Sequence, residues 1–413
     1  MRQWMVAAKK ADFYAIAEKF HVDPVVARII RNREVIGEKN IRIYLGGNLS
    51  DLSDPHQMKD MDRLVEILAQ KIRKQVHIRI IGDYDVDGVT SSHLFLTALR
   101  RVGAKVDVVI PHRIQDGYGL SLHLLQQAKE DGVDTILTCD NGIAAIDEIA
   151  WAKAQKMTVL VTDHHAVPFE EHEGRRTEKK SLADAVVNPH QQDCRYPYKE
   201  LCGAGVAWNV IRVLYENYDM DKREAEDLLD FVAMATVCDV MSLTGENRIL
   251  VKEGLKRIRH TKNIGLQALM QACNVQPENI SAYHFGYVLG PCVNATGRLD
   301  TARHALRLFE TGQETEAEEI ARDLVDLNQE RKELTLQGVE MAKKLCEEGG
   351  YENDPILVLF LPDVHESIAG LIAGRIREMY NRPVFVLTRG EEGVKGSGRS
   401  TENYSCLLYT SPS

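Results

Sequence analysis

Paired cysteines are missing from this sequence. The eight cysteines, at 139, 194, 202, 238, 273, 292, 346 and 406, include no C-x-x-C pair and sit mostly in apolar contexts. Neither a zinc site nor a disulfide framework is indicated, and reduced, buried thiols are expected. No apolar run approaches the length needed to cross a bilayer, and no secretory signal is evident, so a cytoplasmic, non-membrane setting is expected. Positive charge is also in deficit: Lys and Arg number 51 against 61 Asp and Glu, a formal net charge of −10. That balance argues against a protein that coats nucleic acid by bulk electrostatics alone, while leaving room for a local basic groove. Aspartates gathered to hold divalent cations also count as negative charge, so the total overstates the repulsion a phosphate would meet.

What is present is an ordinary globular composition, 44% hydrophobic and 27% charged over 413 residues, long enough for two domains or more. Short apolar runs at 77–81, 106–110, 135–138, 158–162 and 184–187 alternate with helical stretches, the pattern of parallel strands joined by crossover helices. A doubly wound sheet is expected over residues 72–310, after a helical lead-in at 1–71. The stretch EEHEGRRTEKKS (170–181) reads as a charged surface loop. Residues 311–350, rich in Glu, Lys and Arg and free of proline, read as a connector helix. Runs at 355–361 and 383–388 flank a helical stretch and open a second, smaller α/β domain, placed at 351–405. The tail CLLYTSPS (406–413) shares no periodicity with what precedes it and is expected to be non-native.

The stretch GDYDVDGVTSSHL, residues 82–94, carries three aspartates at alternate positions. An EF-hand beginning at Asp83 would need a bidentate glutamate at its twelfth position, where Leu94 stands, and would be entered from a helix, whereas an apolar, β-branched run precedes it. A calcium loop is therefore not expected, and a solvated acidic turn is the bland alternative. Carboxylates at the end of a strand that passes into a helix describe a ligand site at the carboxyl edge of an α/β sheet. Other strand ends supply partners: TCDNG brings Asp140, and TDHH brings Asp163, His164 and His165. Asp239 sits in the apolar stretch ATVCDVM, where an unpaired carboxylate would be costly and a metal ion would remove the cost. Carboxylates with a single imidazole suit manganese or magnesium better than zinc, and a site that bridges two such ions is suited to phosphate esters.

The ordered set DYDVDG, TCDNG, DHH and Asp239 resembles the DHH phosphoesterase superfamily. Together with PHRIQDGYGLS, GPCVNATGRLD, VHESIAGLIAGR and KGSGRS it is similar to the RecJ-type single-strand-specific exonucleases over about 400 residues. The resemblance implies a DHH catalytic domain joined by a long helix to a DHHA1-type domain. It implies two ions, Mn2+ or Mg2+, the first held by Asp83, Asp85 and a bridging Asp140, the second by Asp87, Asp140, His164 and Asp239. His165 would then face the substrate, with a role in orienting His164 as the alternative. Arg113, Ser397 and Arg399 are expected to bind a 5′ phosphate, the glycines of KGSGRS forming a phosphate-binding loop, and Asn294, Arg298 and His365 are further expected substrate contacts. The implied partner is single-stranded DNA with a 5′ end, hydrolysed 5′ to 3′ to mononucleotides in repair and recombination. A single-strand-binding protein and a RecQ-type helicase are candidate partners of a monomeric chain.

Two departures from the family pattern are visible. Cys292 stands where such proteins usually carry the arginine of GPRINAAGR, and the OB-fold domain that follows in the family is not part of this sequence. Competing readings are a DHH phosphodiesterase of short oligonucleotides or cyclic dinucleotides, a family II pyrophosphatase, a non-catalytic scaffold and a regulatory module with structural metal. The long N-terminal region and connector favour the exonuclease over the smaller enzymes, and a full set of ligand positions disfavours the scaffold.

Overall fold

Asp12 and Asp23 start the first two helices, each carboxylate accepting a backbone N–H of the first turn. The computed structural model describes residues 9–406 except 114, 115, 117, 118, 173, 174, 300, 352, 353, 391 and 392, so residues 407–413 of the tail lie outside it. Helices α1 (Phe13–Phe20), α2 (Pro24–Asn32) and α3 (Glu38–Gly46) enclose a small core of Ile30, Val35, Ile41 and Tyr44. Arg248 docks this unit onto the rest, donating from Nε to the Tyr44 carbonyl and lying 3.9 Å from the Tyr44 ring centroid. Helix α4 (Met61–Arg73) instead buries Met61, Leu64, Val65, Leu68 and Ile72 in the main core. The boundary expected between 71 and 72 falls inside this helix.

The apolar runs form β1 (Ile78–Ile81), β2 (Val106–Val109), β3 (Thr135–Cys139), β4 (Thr158–Thr162) and, after a hairpin, β7 (Ala185–Val187). Helices α5 (Val86–Arg101), α6 (Leu122–Glu130) and α7 (Ile146–Ala154) supply the crossovers among the first four. All pairings are parallel, in the order β2-β1-β3-β4-β7. Strand order reverses direction at β1, so the loops after β1 and β3 diverge and leave a crevice at their carboxyl ends. Both faces of the sheet are covered, one by the main core and the other by Leu124, Leu125, Ile149 and Ala152 with their neighbours. Within buried β1, Arg79 is neutralised by Asp107, which accepts from Nε and Nη2 at 3.0 and 2.7 Å, and by Asp131 at 2.8 Å.

The charged segment expected as a loop is in fact a hairpin, β5 (Phe169–His172) and β6 (Arg175–Glu178). Its register sets Glu171 opposite Arg176, whose guanidinium also lies over the Phe169 ring at 4.5 Å. Cross-strand pairing of opposite charges supports strands that carry little apolar alternation.

Helices then dominate: α8 (Gly203–Asn217), α9 (Lys222–Glu226), α10 (Leu229–Cys238), α11 (Gly245–Arg257) and α12 (Ile264–Ala272). The short α13 (Ala282–His284) runs through a π-helical turn, Phe285–Leu289, into α14 (Gly290–Leu299), followed by α15 (Ala302–Glu310). Helix α16 (Glu314–Gly349) has 36 residues and is about 54 Å long at 1.5 Å per residue. Its first turns bury Ala317, Ile320 and Leu324 in the main core, and its last turns bury Val339, Ala342 and Cys346 in a separate one. That second core belongs to β8 (Leu357–Phe360), α17 (Ala369–Tyr380), β9 (Val384–Gly390) and β10 (Gly393–Arg399), a three-stranded sheet in the order β10-β9-β8. Among the described residues no helix is long and apolar enough to cross a membrane.

Candidate metal centre and basic cleft

The carboxyl ends of β1, β3 and β4, with the end of α10, bring acidic groups to the crevice. Asp83 follows β1, and Asp85 caps α5, accepting from the Gly88 N–H at 3.0 Å. Asp87, in the first turn of α5, is gripped by the start of α8: the N–H groups of Gly203 and Ala204 donate to its two oxygens at 2.6 and 2.7 Å. A helix N-terminus holds a carboxylate in this way through unpaired amides and the helix dipole. Asp140 follows β3 in the left-handed region, φ 61°, a conformation that costs energy outside glycine and clusters at functional sites. Gly203 also makes room for Asp140, since a Cβ there would lie 2.6 Å from the Asp140 Cβ.

His164 and His165 follow β4, and Asp239 ends α10. The Nε2 of His164 stands 3.0 Å from Asp140 Oδ1, 3.6 Å from Asp87 Oδ2 and 3.7 Å from Asp239 Oδ2. Potential ligand atoms converge in three trios, each within 4.8 Å: Asp83, Asp85 and Asp140; Asp87, His164 and Asp239; and Asp140, His164 and His165. Asp83 Oδ1 and Asp140 Oδ1 are buried without a donor in hydrogen-bonding geometry, the His164 Nε2 beside Asp140 included, although buried polar atoms are ordinarily paired. Burial, reinforced by the charge of Asp85, lifts the Asp83 carboxyl to about 7. Burial and then the charges of Asp87 and Asp85 lift Asp239 to about 8, and push Asp140 well above the usual carboxylate range. Carboxylates so crowded that their mutual repulsion outweighs the nearby cations fit divalent ions, and an oxygen-rich set with imidazole fits manganese or magnesium.

Asp163, the first residue of the DHH triplet, has a different position. Its Oδ1 accepts from the backbone N–H groups of His164 and His165 at 2.7 and 3.1 Å and pairs with His165 Nδ1 at 2.7 Å, while Oδ2 accepts from Ile143 N–H at 2.9 Å. Burial raises its carboxyl, but the His165 hydrogen bond and these donors prevail and hold it below the usual range. The same hydrogen bond raises His165 to about 9 against the opposing effect of burial. Sequence reasoning assigned Asp163 no role of its own; the donor that fixes it, Ile143, is 20 residues away.

The basic residues gather beside this centre. Asp83, Tyr84, Asp85, Arg113, Cys238, Asn294 and Arg298 line a cleft of ≈ 330 Å³. Arg113 lies over the Tyr84 ring at 4.8 Å. Asn294 Oδ1 accepts from Val86 N–H at 3.2 Å, bracing the aspartate turn. Arg298 reaches across to the second domain, where its Nη1 donates to the Ser367 carbonyl at 2.7 Å. His365 caps that same segment and pairs with Ser367 Oγ at 2.6 Å. Burial, and after it the charges of Arg113, Arg331 and Arg399, depress the Arg298 guanidinium to about 10.

Residues 395–400 do not form the loop expected from KGSGRS; most of them belong to the edge strand β10, paired antiparallel with β9 over its full length. Gly396 and Gly398 leave space for Leu387 and Phe385 of β9, and the alternate residues Ser397 and Arg399 lie against α17. Gly370 of α17 permits this, since a Cβ there would lie 2.6 Å from Arg399 Nη2 and 2.8 Å from Ser397 Oγ. Cys292 is 2% exposed and packs in the main core beside Cys273, so that position offers the cleft no cation.

The profile of the DHH family, N-terminal domain, matches residues 77–236. A crystal structure of exonuclease RecJ bound to manganese is 32% identical and superposes with a TM-score of 0.72, covering 85% of this chain and 84% of that one. The chain belongs to the RecJ family. RecJ from Thermus thermophilus in complex with Mn2+ superposes with a TM-score of 0.78 at 29% identity, covering 96% of this chain and 54% of that one. The single-stranded-DNA-specific exonuclease RecJ of Haemophilus influenzae is 36% identical over 393 residues, 92% of this chain and 66% of that protein. The corresponding Bacillus subtilis protein is 33% identical over 95% of this chain and 48% of its own length. The chain thus spans between about half and about two thirds of the curated RecJ proteins it resembles.

Proposed function

We propose that this RecJ-family chain is a metal-dependent exonuclease that hydrolyses single-stranded DNA from its 5′ end to mononucleotides, in DNA repair and recombination. One observation carries the reading: a nest of under-paired carboxylates lies in the same cleft as a cluster of guanidinium groups. Phosphodiester hydrolysis needs both, a cation-holding centre and a place for the anion.

Asp83, Asp85 and Asp140 would hold one Mn2+ or Mg2+, and Asp87, Asp140, His164 and Asp239 the other. When bound, such ions lower the pKa of a water and neutralise charge developing on a phosphate. The chain's own groups do the rest. Asp163 engages His165 at Nδ1 and so presents Nε2 as the atom to meet a phosphate oxygen or the leaving group. Gly203 and Ala204 fix Asp87 and so set the spacing of the two ligand sets. Arg113, Arg298 and Arg399 would bind phosphates of the strand, Arg399 and Ser397 taking the 5′ end, with Asn294 and His365 bracing the cleft walls.

The test is degradation of a 5′-phosphorylated single strand with Mn2+, run beside pyrophosphate and a cyclic dinucleotide. Mononucleotides should appear from the single strand and little product from the controls. Preferential hydrolysis of either control would replace the exonuclease reading with a small-substrate one.

A further inference from the structure

Cys273 ends α12 and is half-buried; Cys292 lies in the first turn of α14 and is buried. Their sulfurs share a hydrogen bond at 3.8 Å. Other thiols meet oxygen: Cys139 contacts Ser92 Oγ, Cys202 contacts Thr236 Oγ1, and Cys238 donates to the Phe285 carbonyl. Cys292 also donates to the Val288 carbonyl at 3.2 Å, and its sulfur is an acceptor as well. Asn328 Nδ2 donates to its sulfur at 3.4 Å, while Asn328 Oδ1 accepts from Arg331 Nε and Nη2 at 3.2 and 2.9 Å. A guanidinium is thereby relayed to the sulfur through one amide. The hydrogen bond from Cys273, opposed by burial and supported by Asn328, lowers the Cys292 thiol below its usual range.

We infer that Cys273 and Cys292 form an oxidisable dithiol, closed to an intramolecular disulfide by a hydroperoxide. The half-buried Cys273 meets the oxidant: with the Cys292 sulfur taking up its proton, its thiolate takes one peroxide oxygen to become a sulfenic acid, and the alcohol, or water from hydrogen peroxide, leaves with that proton. The Cys292 thiolate then attacks that sulfur. The S–S bond forms, the S–O bond breaks, and the departing hydroxide takes up the proton released by the Cys292 thiol. Two thiols and one hydroperoxide give one disulfide, water and the reduced oxidant; each sulfur gives up one electron.

Bond formation requires the sulfurs to close from 3.8 Å to about 2.05 Å. The sequence places adjustable backbone on both sides of that gap. Cys273 is the residue at which α12 ends, and Cys292 lies three residues beyond the π-helical turn Phe285–Leu289, a geometry that departs from the regular helical ladder. Nothing in this dithiol depends on the nuclease reading.

The test treats the folded protein with one to ten equivalents of hydrogen peroxide, blocks remaining thiols with N-ethylmaleimide, and maps peptides by mass spectrometry. Two of the eight thiols should disappear together, a peptide linking Cys273 to Cys292 should appear, and dithiothreitol should reverse both changes. Cys273→Ser and Cys292→Ala, each checked for an unchanged melting profile, should each abolish the linked peptide; either one suffices if the other fails to fold. Over-oxidation of Cys273 without linkage, or first loss at any other cysteine, would overturn the inference.

Discussion

Asp163 and His165 share a hydrogen bond that makes one buried carboxylate responsible for the placement of both histidines of the triplet. Asp163→Asn keeps the shape but removes the charge that retains a proton on His165. Turnover should fall about a hundredfold, the scale of losing a positioned acid or base, with little change in KM; steady-state kinetics on a phosphorylated single strand checks this. Asp140→Ala should abolish hydrolysis and the Mn2+-dependent rise in Tm together, because both proposed ion sites lose a ligand. Near-normal turnover in that variant would remove the two-ion assignment. The pH dependence follows from the raised carboxyls. Asp83 near 7 and Asp239 near 8 lie above the ordinary 3.8 and are protonated in the metal-free fold at mild acidity. Their ionisation therefore costs the metal-free fold stability as pH rises from about 4 through 8. Cations bind the ionised form. The increment in Tm produced by Mn2+ should consequently be small at pH 6 and grow towards pH 8, as scanning calorimetry at fixed Mn2+ would show.

At the scale of elements, α17 and β10 make one device. Gly370 gives Arg399 and Ser397 their place, and adding a single methyl there forces the far end of the arginine to move. Gly370→Ala should raise KM for a 5′-phosphorylated strand several-fold more than for a 5′-hydroxyl strand, at nearly unchanged Tm. Arg399→Lys should show the same preference, since a point charge cannot replace a bidentate clamp. Equal effects on the two strands would remove both residues from the end site. These elements also show what the sequence makes legible. Strand ends such as TCDNG and TDHH could be read because an apolar β-branched run stops abruptly at a carboxylate. The β5–β6 hairpin could not, because its support is cross-strand charge and not alternation. β10 was obscured by its glycines, which resemble an anion-binding loop in one dimension and serve the side chains of β9 in three. Gly203 and Ala204 gave no signal at all: their part in holding Asp87 lies in backbone amides 116 and 117 residues away.

At the scale of the whole molecule, the cleft is lined by the first unit, and Arg298 in its wall joins that unit to the second through the Ser367 carbonyl. A path of that kind admits one strand more readily than two. Label should leave a single strand from the 5′ end, and faster release from the 3′ end or equal cleavage of blunt duplex would contradict the proposed polarity. Helix α16 adds a mechanical constraint, because it is anchored at both ends in different cores and behaves as a threaded rod. On such a rod, distance and azimuth cannot be changed separately: one inserted residue advances the second unit by about 1.5 Å and turns it by about 100°. A single alanine inserted between Val325 and Gly338 should therefore swing Ser367 away from Arg298 and eliminate end recognition. Seven inserted residues bring the azimuth back to within about 20° while lengthening the rod by about 10 Å. That variant should recover the facing of the two walls but not their separation, and, on the proposed exonuclease reading, jaws set wider should begin to accept substrates that the natural gauge rejects.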